Sequence, residues 1–339
     1  MKQSSGHILF VDNNSAYKVI GYDLYVSNDN GNCWKFLLSI PATKKSRFFS
    51  TFSLTRRLLR KGVYKMMKYG ENFIVFSDKK IFLVDLVNEK IQCLGLFKGS
   101  RPLYPCIHHD VLYYGEYKSN LGREPVSVHS YNFFLKSWSV SYQIEGVRHI
   151  HGLFSDPYEK NRVWITTGDL DHESKILYTD DEFKSVNPFL EGKQSYRAIY
   201  IHFDDTSITY GTDAPDQSNK ILTVSRSDGS VLDQVDVGGP VFYGGVAGDL
   251  KILTTAVEPS DINVSPYMEL WVHQNDKGWH LAYRLKKDFF PKKLFQYGQI
   301  LLPEGPGVDG KLSFTPIAGK LDYKTIFSDT KNVLKSMHG

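Results

Sequence analysis

The sequence predicts an all-β fold, a β-propeller of four-stranded blades filling residues 1–339 as a single domain. Three observations predict it. Short Val/Ile/Tyr/Phe/Leu-rich runs of about five to eight residues, broken by Gly, Asn, Asp and Pro, dominate the chain, and that is how half-buried strands read. Convincing amphipathic helices are scarce, and no linker separates two halves. The third observation is a repeat. An apolar strand closed by an acidic residue returns at intervals of 38 to 53 residues, near the 40–50 expected of a propeller blade.

The copies run in order along the chain. They are Phe73–Asp78, Val111–Glu116, Val163–Asp169, Ile208–Asp213, Ile252–Glu258 and Ile300–Glu304, and His7–Asp12 supplies one more. Seven copies give about 48 residues per blade, with six or eight blades as alternatives. Tyr323–Phe327 is expected as the last strand, with the two chain ends pairing, because an open sheet edge invites aggregation. Asp12 and Asp78 are further apart than the other steps, which marks residues 43–62 as a basic insertion between two blades. It holds Lys44, Lys45, Arg47, Arg56, Arg57, Arg60 and Lys61 with no acid. A solvated loop is one expectation for it. A lid or arm meeting an anionic chain or a membrane surface through charge plus Phe and Leu is the other.

Composition excludes more than it names. A formal charge of +4 points to no partner, and 41% hydrophobic with 14% aromatic residues supplies a packed core. No apolar run is long enough for a transmembrane segment, and the N-terminus lacks a signal-peptide core, so a cytoplasmic location is expected. Cys33, Cys93 and Cys106 form no C-x-x-C pair and are expected as buried reduced thiols. Walker, Rossmann, H-E-x-x-H, G-x-S-x-G and EF-hand patterns are absent, and no nucleic-acid-binding motif occurs.

Ser27-Asn28-Asp29-Asn30-Gly31-Asn32-Cys33-Trp34 reads S-x-D-x-G-x-x-W. It resembles the Asp box of the sialidase-like (BNR-repeat) β-propeller superfamily. Thr179–Phe183, Ser225–Gly229 and Asn275–Trp279 look like eroded copies. Asp caps backbone N–H groups, Gly enters the turn at positive φ, and Trp buries between sheets. The resemblance implies that these boxes are structural and lie away from any active face. It also implies a superfamily of glycosidases, polysaccharide lyases and plain binding propellers. The Phe/Tyr-Arg-Ile-Pro start of true sialidases is absent.

In a propeller, first-strand starts and second-strand ends converge around the central channel. The converging acids are Glu116, Asp169, Asp213, Glu258 and Glu304, and the strand starts bring Arg101, Arg148, Arg197, His149 and His151. Arg offers a planar fork for carboxylate, sulfate or phosphate, so an anionic oligosaccharide or polysaccharide is the expected ligand. The competing expectation is a lattice in which each Arg pairs with a neighbouring acid.

On the enzymatic reading the chain cleaves an acidic glycan, as a hydrolase ahead of a lyase. Asp169, Asp213, Glu258 and Glu116 then form the pool for acid, base or nucleophile, with His149 or His151 as base. Arg101, Arg148 and Arg197 hold the anion, and Tyr114, Tyr210 and Tyr243 stack on sugars or donate hydrogen bonds. His149 and His151 are two apart on a strand, so both imidazoles share a side, which also suits a divalent metal. No cofactor is required. The alternative is a non-catalytic propeller that binds a glycan or a protein.

Overall fold

The computed structural model describes residues 1–274 and 277–330, apart from the side chains of residues 292 and 293. Among these residues, 28 strands form seven four-stranded antiparallel sheets, and the chain is a seven-bladed β-propeller. Contacts group it into two compact units.

The first unit comprises Met1–Phe97, Tyr243–Glu258 and the segment from Ser265. Blade one is His7–Val11, Ala16–Ile20, Asp23–Ser27 and Lys35–Ser39, and blade two runs from Val63–Tyr69 to Lys90–Leu96. Val19, Tyr22, Leu24, Ile40, Met66, Val75 and Val84 pack these two sheets together as one buried cluster. The last blade is Gln299–Leu301, Lys311–Ile317 and Lys324–Asp329, completed by the N-terminal strand Lys2–Ser5, which pairs antiparallel with Lys324–Asp329. The two ends therefore meet in one sheet, as expected.

The second unit comprises Lys98–Phe242 and Pro259–Val264. Its blades begin with Cys106–His108, His149–Ser155 and Ala198–Phe203 and end with Ser137–Ile144, Asn187–Glu191 and Val231–Asp236. The second strands Val163–Gly168 and Ser207–Thr212 are buried at every position, whereas Val231–Asp236 is exposed almost throughout. A strand covered on both faces reads as an apolar run, and an outermost strand does not.

That burial explains one correction. Five of the repeat copies are second strands, but His7–Val11 and Ile300–Leu301 are first strands of their blades. First strands share the apolar character, so composition alone does not separate the two positions. Cysteine burial is a second correction: Cys106 is buried, while Cys33 and Cys93 are exposed. Burial pushes the Cys106 thiol up to about 12.

The basic insertion is a pair of helices, α1 (Lys44–Thr51) and α2 (Ser53–Leu59), not a loop. No Gly or Pro interrupts residues 44–60, and Lys, Arg and Leu are good helix formers. The Thr43 hydroxyl accepts from the Ser46 N–H at 3.1 Å to cap α1, and Arg60, at φ 51°, ends α2 in the left-handed region. Arg47 pairs with Asp23, Arg56 with Asp322 and the buried Arg57 with Asp288, so much of the insertion's charge anchors it to its own unit.

The Asp-box turns are alike in their hydrogen bonds. In the first, Gly31 N–H donates to Ser27 Oγ at 2.9 Å and Cys33 N–H to Asp29 Oδ1 at 2.9 Å. In the second, Phe183 N–H donates to Thr179 Oγ1 at 3.1 Å and Ser185 N–H to Asp181 Oδ1 at 2.9 Å. Gly31 has φ +78°, as its place in the turn requires. At Ser225–Gly229 the Asp position is Ser227, whose N–H donates to Ser225 Oγ at 3.2 Å. Each of these turns joins the third and fourth strands of its blade. The fourth copy, Asn275–Trp279, lies partly outside the described residues.

Candidate functional site

The residues brought together are Arg148, His149, His151, Asp169, Arg197 and Asp213, all in the second unit. Arg148 and His149 open the strand His149–Ser155, Asp169 follows the strand Val163–Gly168, and Arg197 and Asp213 flank the two inner strands of the next blade. Gly168 makes their approach possible. A Cβ there would lie 2.8 Å from both Arg197 Cγ and His151 Cε1.

Arg197 bridges two acids. Its Nε donates to Asp213 Oδ2 at 3.0 Å, its Nη2 pairs with Asp169 Oδ1 at 3.1 Å, and its Nη1 donates to the Asp169 carbonyl at 3.1 Å. Arg148 Nη1 holds Asp169 Oδ2 at 2.5 Å. Two guanidinium groups thus face two carboxylates, and their formal charges cancel. The lattice expectation describes this set better than a pair of arginines awaiting an anion.

His149 and His151 face each other with Nε2 atoms 3.0 Å apart. His151 Nδ1 lies 2.9 Å from the Ala198 carbonyl and His149 Nδ1 lies 3.3 Å from the Lys118 carbonyl. Burial pulls the His149 imidazole below its ordinary value despite the nearby Asp169, and burial with His149 and Arg197 pulls His151 well below. The rings meet across a bulge between Ile150 and Gly152, where the two-residue period expected of this strand breaks.

Glu116 accepts from His129 Nε2 at 2.9 Å and pairs with Lys118 Nζ at 2.8 Å. Burial alone would raise its carboxyl, but the bonds from Lys118 and His129 outweigh that and hold it below the usual range. Tyr114 stacks on His129 with centroids 4.9 Å apart, accepts from the Lys98 N–H, and is pushed up to about 12 chiefly by burial. Tyr210 is fully buried, and burial raises its phenol further. Arg101 is half-buried ahead of Cys106–His108.

Glu258 and Tyr243 belong to the first unit, where Tyr243 donates to Gln299 Oε1 at 3.3 Å. Glu304 is there too, paired with Lys65 and following a first strand. In the acidic stretch after Asp169, Asp171 and His172 are exposed, while the buried Glu173 pairs with Arg123.

Three cluster members lie outside the sequence expectations. The Tyr117 ring sits 4.2 Å from the His149 ring, Lys118 meets both Glu116 and His149, and Gln194 Nε2 donates to the Asp169 carbonyl at 2.8 Å. Tyr117 and Lys118 directly follow the acid that closes a repeat copy, a signal available in the sequence. Gln194 carried none. A surface groove of about 400 Å³ in the same unit is lined by residues such as Tyr142, Glu145, Lys175 and Glu191, none of them a predicted site residue.

No family model matches the chain, and no curated protein matches it. Solved structures of propellers do. A chain in the crystal structure of the mitotic checkpoint complex is 12% identical with a TM-score of 0.61, covering 97% of this chain and 93% of that one. The WD40 β-propeller domain of Doa1 is 12% identical with a TM-score of 0.58, covering 98% and 96%. The AfRom2 CNH domain is 6% identical with a TM-score of 0.57, covering 96% and 94%. These likenesses show the β-propeller fold and nothing finer.

Proposed function

We propose that this chain is a binding propeller that docks a protein partner of acidic surface on the α1–α2 insertion. The observation that carries the reading is the exposed face of that insertion. Phe48, Phe52, Leu54, Leu58 and Leu59 are each between 43% and 62% exposed within a dozen residues, and Lys44, Lys45 and Arg60 are exposed beside them. Contiguous apolar side chains rimmed by charge mark interaction sites. The ion pairs of Arg47, Arg56 and Arg57 hold the two short helices as a fixed platform. The exposed basic side chains beside that apolar strip complement an acidic protein surface. One structural likeness, to a chain of the mitotic checkpoint complex, is to a propeller solved within an assembly.

The acidic-glycan enzyme reading has less support. Glycoside hydrolysis needs one carboxyl kept protonated beside one ionised. Asp169 and Asp213 each face a guanidinium, and Glu116 is held low by its partners. The resemblance of the Ser27–Trp34 and Thr179–Phe183 turns to Asp boxes is what supports glycan binding as a secondary reading.

The test places a photo-crosslinking amino acid at Phe48 of the full chain, with Val231 as an exposed control position. A discrete product at position 48, identified and purified, is expected to bind the wild type and to lose binding to Leu58→Asp and to Lys44→Glu/Lys45→Glu. Products identical to those at Val231, or flotation with phosphatidylserine vesicles in place of a protein partner, would overturn the proposal.

A further inference from the structure

The His149–His151 pair is left unexplained by that function. Each Nδ1 points at a backbone carbonyl, Ala198 O for His151 and Lys118 O for His149. A carbonyl only accepts, so each Nδ1 carries the ring proton. Each Nε2 is then a bare lone pair, and the two lone pairs face one another at 3.0 Å. Such an approach needs an electrophile between them.

We infer that His149 Nε2, His151 Nε2 and the Asp169 carboxylate bind one divalent first-row transition-metal ion. The three donor atoms lie within 4.8 Å of one another, with Asp169 Oδ1 3.5 Å from His149 Nε2. Metal–nitrogen bonds of about 2.0–2.1 Å span a 3.0 Å nitrogen pair at an angle near 95°, within the range of four- to six-coordinate ions. Two imidazoles and a carboxylate suit zinc, cobalt or iron rather than calcium. The Nδ1–H to carbonyl bonds are what orients metal-ligating histidines elsewhere. Asp169 reaches the ion with its Oδ1 while Arg148 holds Oδ2, and the two arginines are matched by Asp169 and Asp213, so no net positive charge opposes the ion. The ion needs no residue of the α1–α2 platform, so this inference stands apart from the proposed partner site.

The test strips the full chain with a chelator and titrates it with Co²⁺, then Zn²⁺. Binding of one equivalent of Co²⁺ with a visible ligand-field spectrum, displaced by Zn²⁺, and a rise in melting temperature are expected. His149→Gln/His151→Gln should abolish the spectrum, with the fold checked by circular dichroism, and Asp169→Asn should weaken binding. No binding by the wild type under excess Co²⁺ would overturn the inference. So would undiminished binding in the double variant, which would assign the metal to Cys33, Cys93 or another surface group. Should the double variant fail to fold, nitrogen NMR of the wild type decides. Both Nε2 resonances are expected to move on Zn²⁺ addition, and a proton shared between them that persists in excess Zn²⁺ would refute the site.

Discussion

Arg197 is the residue on which the cluster depends. It is the common partner of Asp169 and Asp213, and its side chain is only 12% exposed. Removing one member of a buried pair leaves an uncompensated charge, which typically costs about 3–5 kcal/mol. Arg197→Ala is therefore expected to lower stability in urea by roughly that amount, and Arg197→Lys to recover only part because one ammonium cannot fork to two acids. An Arg197→Ala protein as stable as wild type would show that the acids are solvated. The sequence placed Arg148, Arg197, Asp169 and Asp213 in adjacent blades, but not which charge meets which. That is decided by gaps of about an ångström, and Gly168, which lets Arg197 approach, carried no signal of its own.

The Asp-box turns carry a pH signature at the scale of the element. Hydrogen bonds from the Ser185 side chain and backbone hold the Asp181 carboxyl at about 2, and the Cys33 N–H lowers Asp29 in the matching turn. A carboxyl lower in the folded than in the unfolded chain adds stability above its unfolded value, about 3.9, and loses it as pH falls through the folded one. The wild type should therefore melt above Asp181→Asn at neutral pH, and that gap should close between about pH 4 and pH 2. A gap that does not change with pH would mean that the carboxylate charge is not used. Ser27–Trp34 was legible because Ser27, Asp29 and Gly31 each make a turn hydrogen bond and Trp34 packs its ring against Phe327 and Lys18. The α1–α2 helices were not legible, because a run of basic residues without acids reads equally as a loop, and the anchoring acids Asp288 and Asp322 lie far along the chain.

For the whole molecule, the repeat and the seven blades were legible because the buried inner strands of each blade, five second strands and two first strands among the copies, read as apolar runs that recur once per blade. Function was less legible. Convergence of charge looks the same in sequence whether it waits for a ligand or is neutralised internally. The ion pairs of Arg148 and Arg197 favour neutralisation, which is why binding rather than cleavage is the proposed function.

The most direct measurement incubates the full chain with a panel of sialylated, uronate-bearing and sulfated oligosaccharides, following new reducing ends and the ultraviolet absorbance of unsaturated uronates. No product beyond the buffer control is expected, with or without added divalent metal. Release of product by the wild type that disappears in a folded Asp169→Asn or Asp213→Asn variant would contradict that expectation.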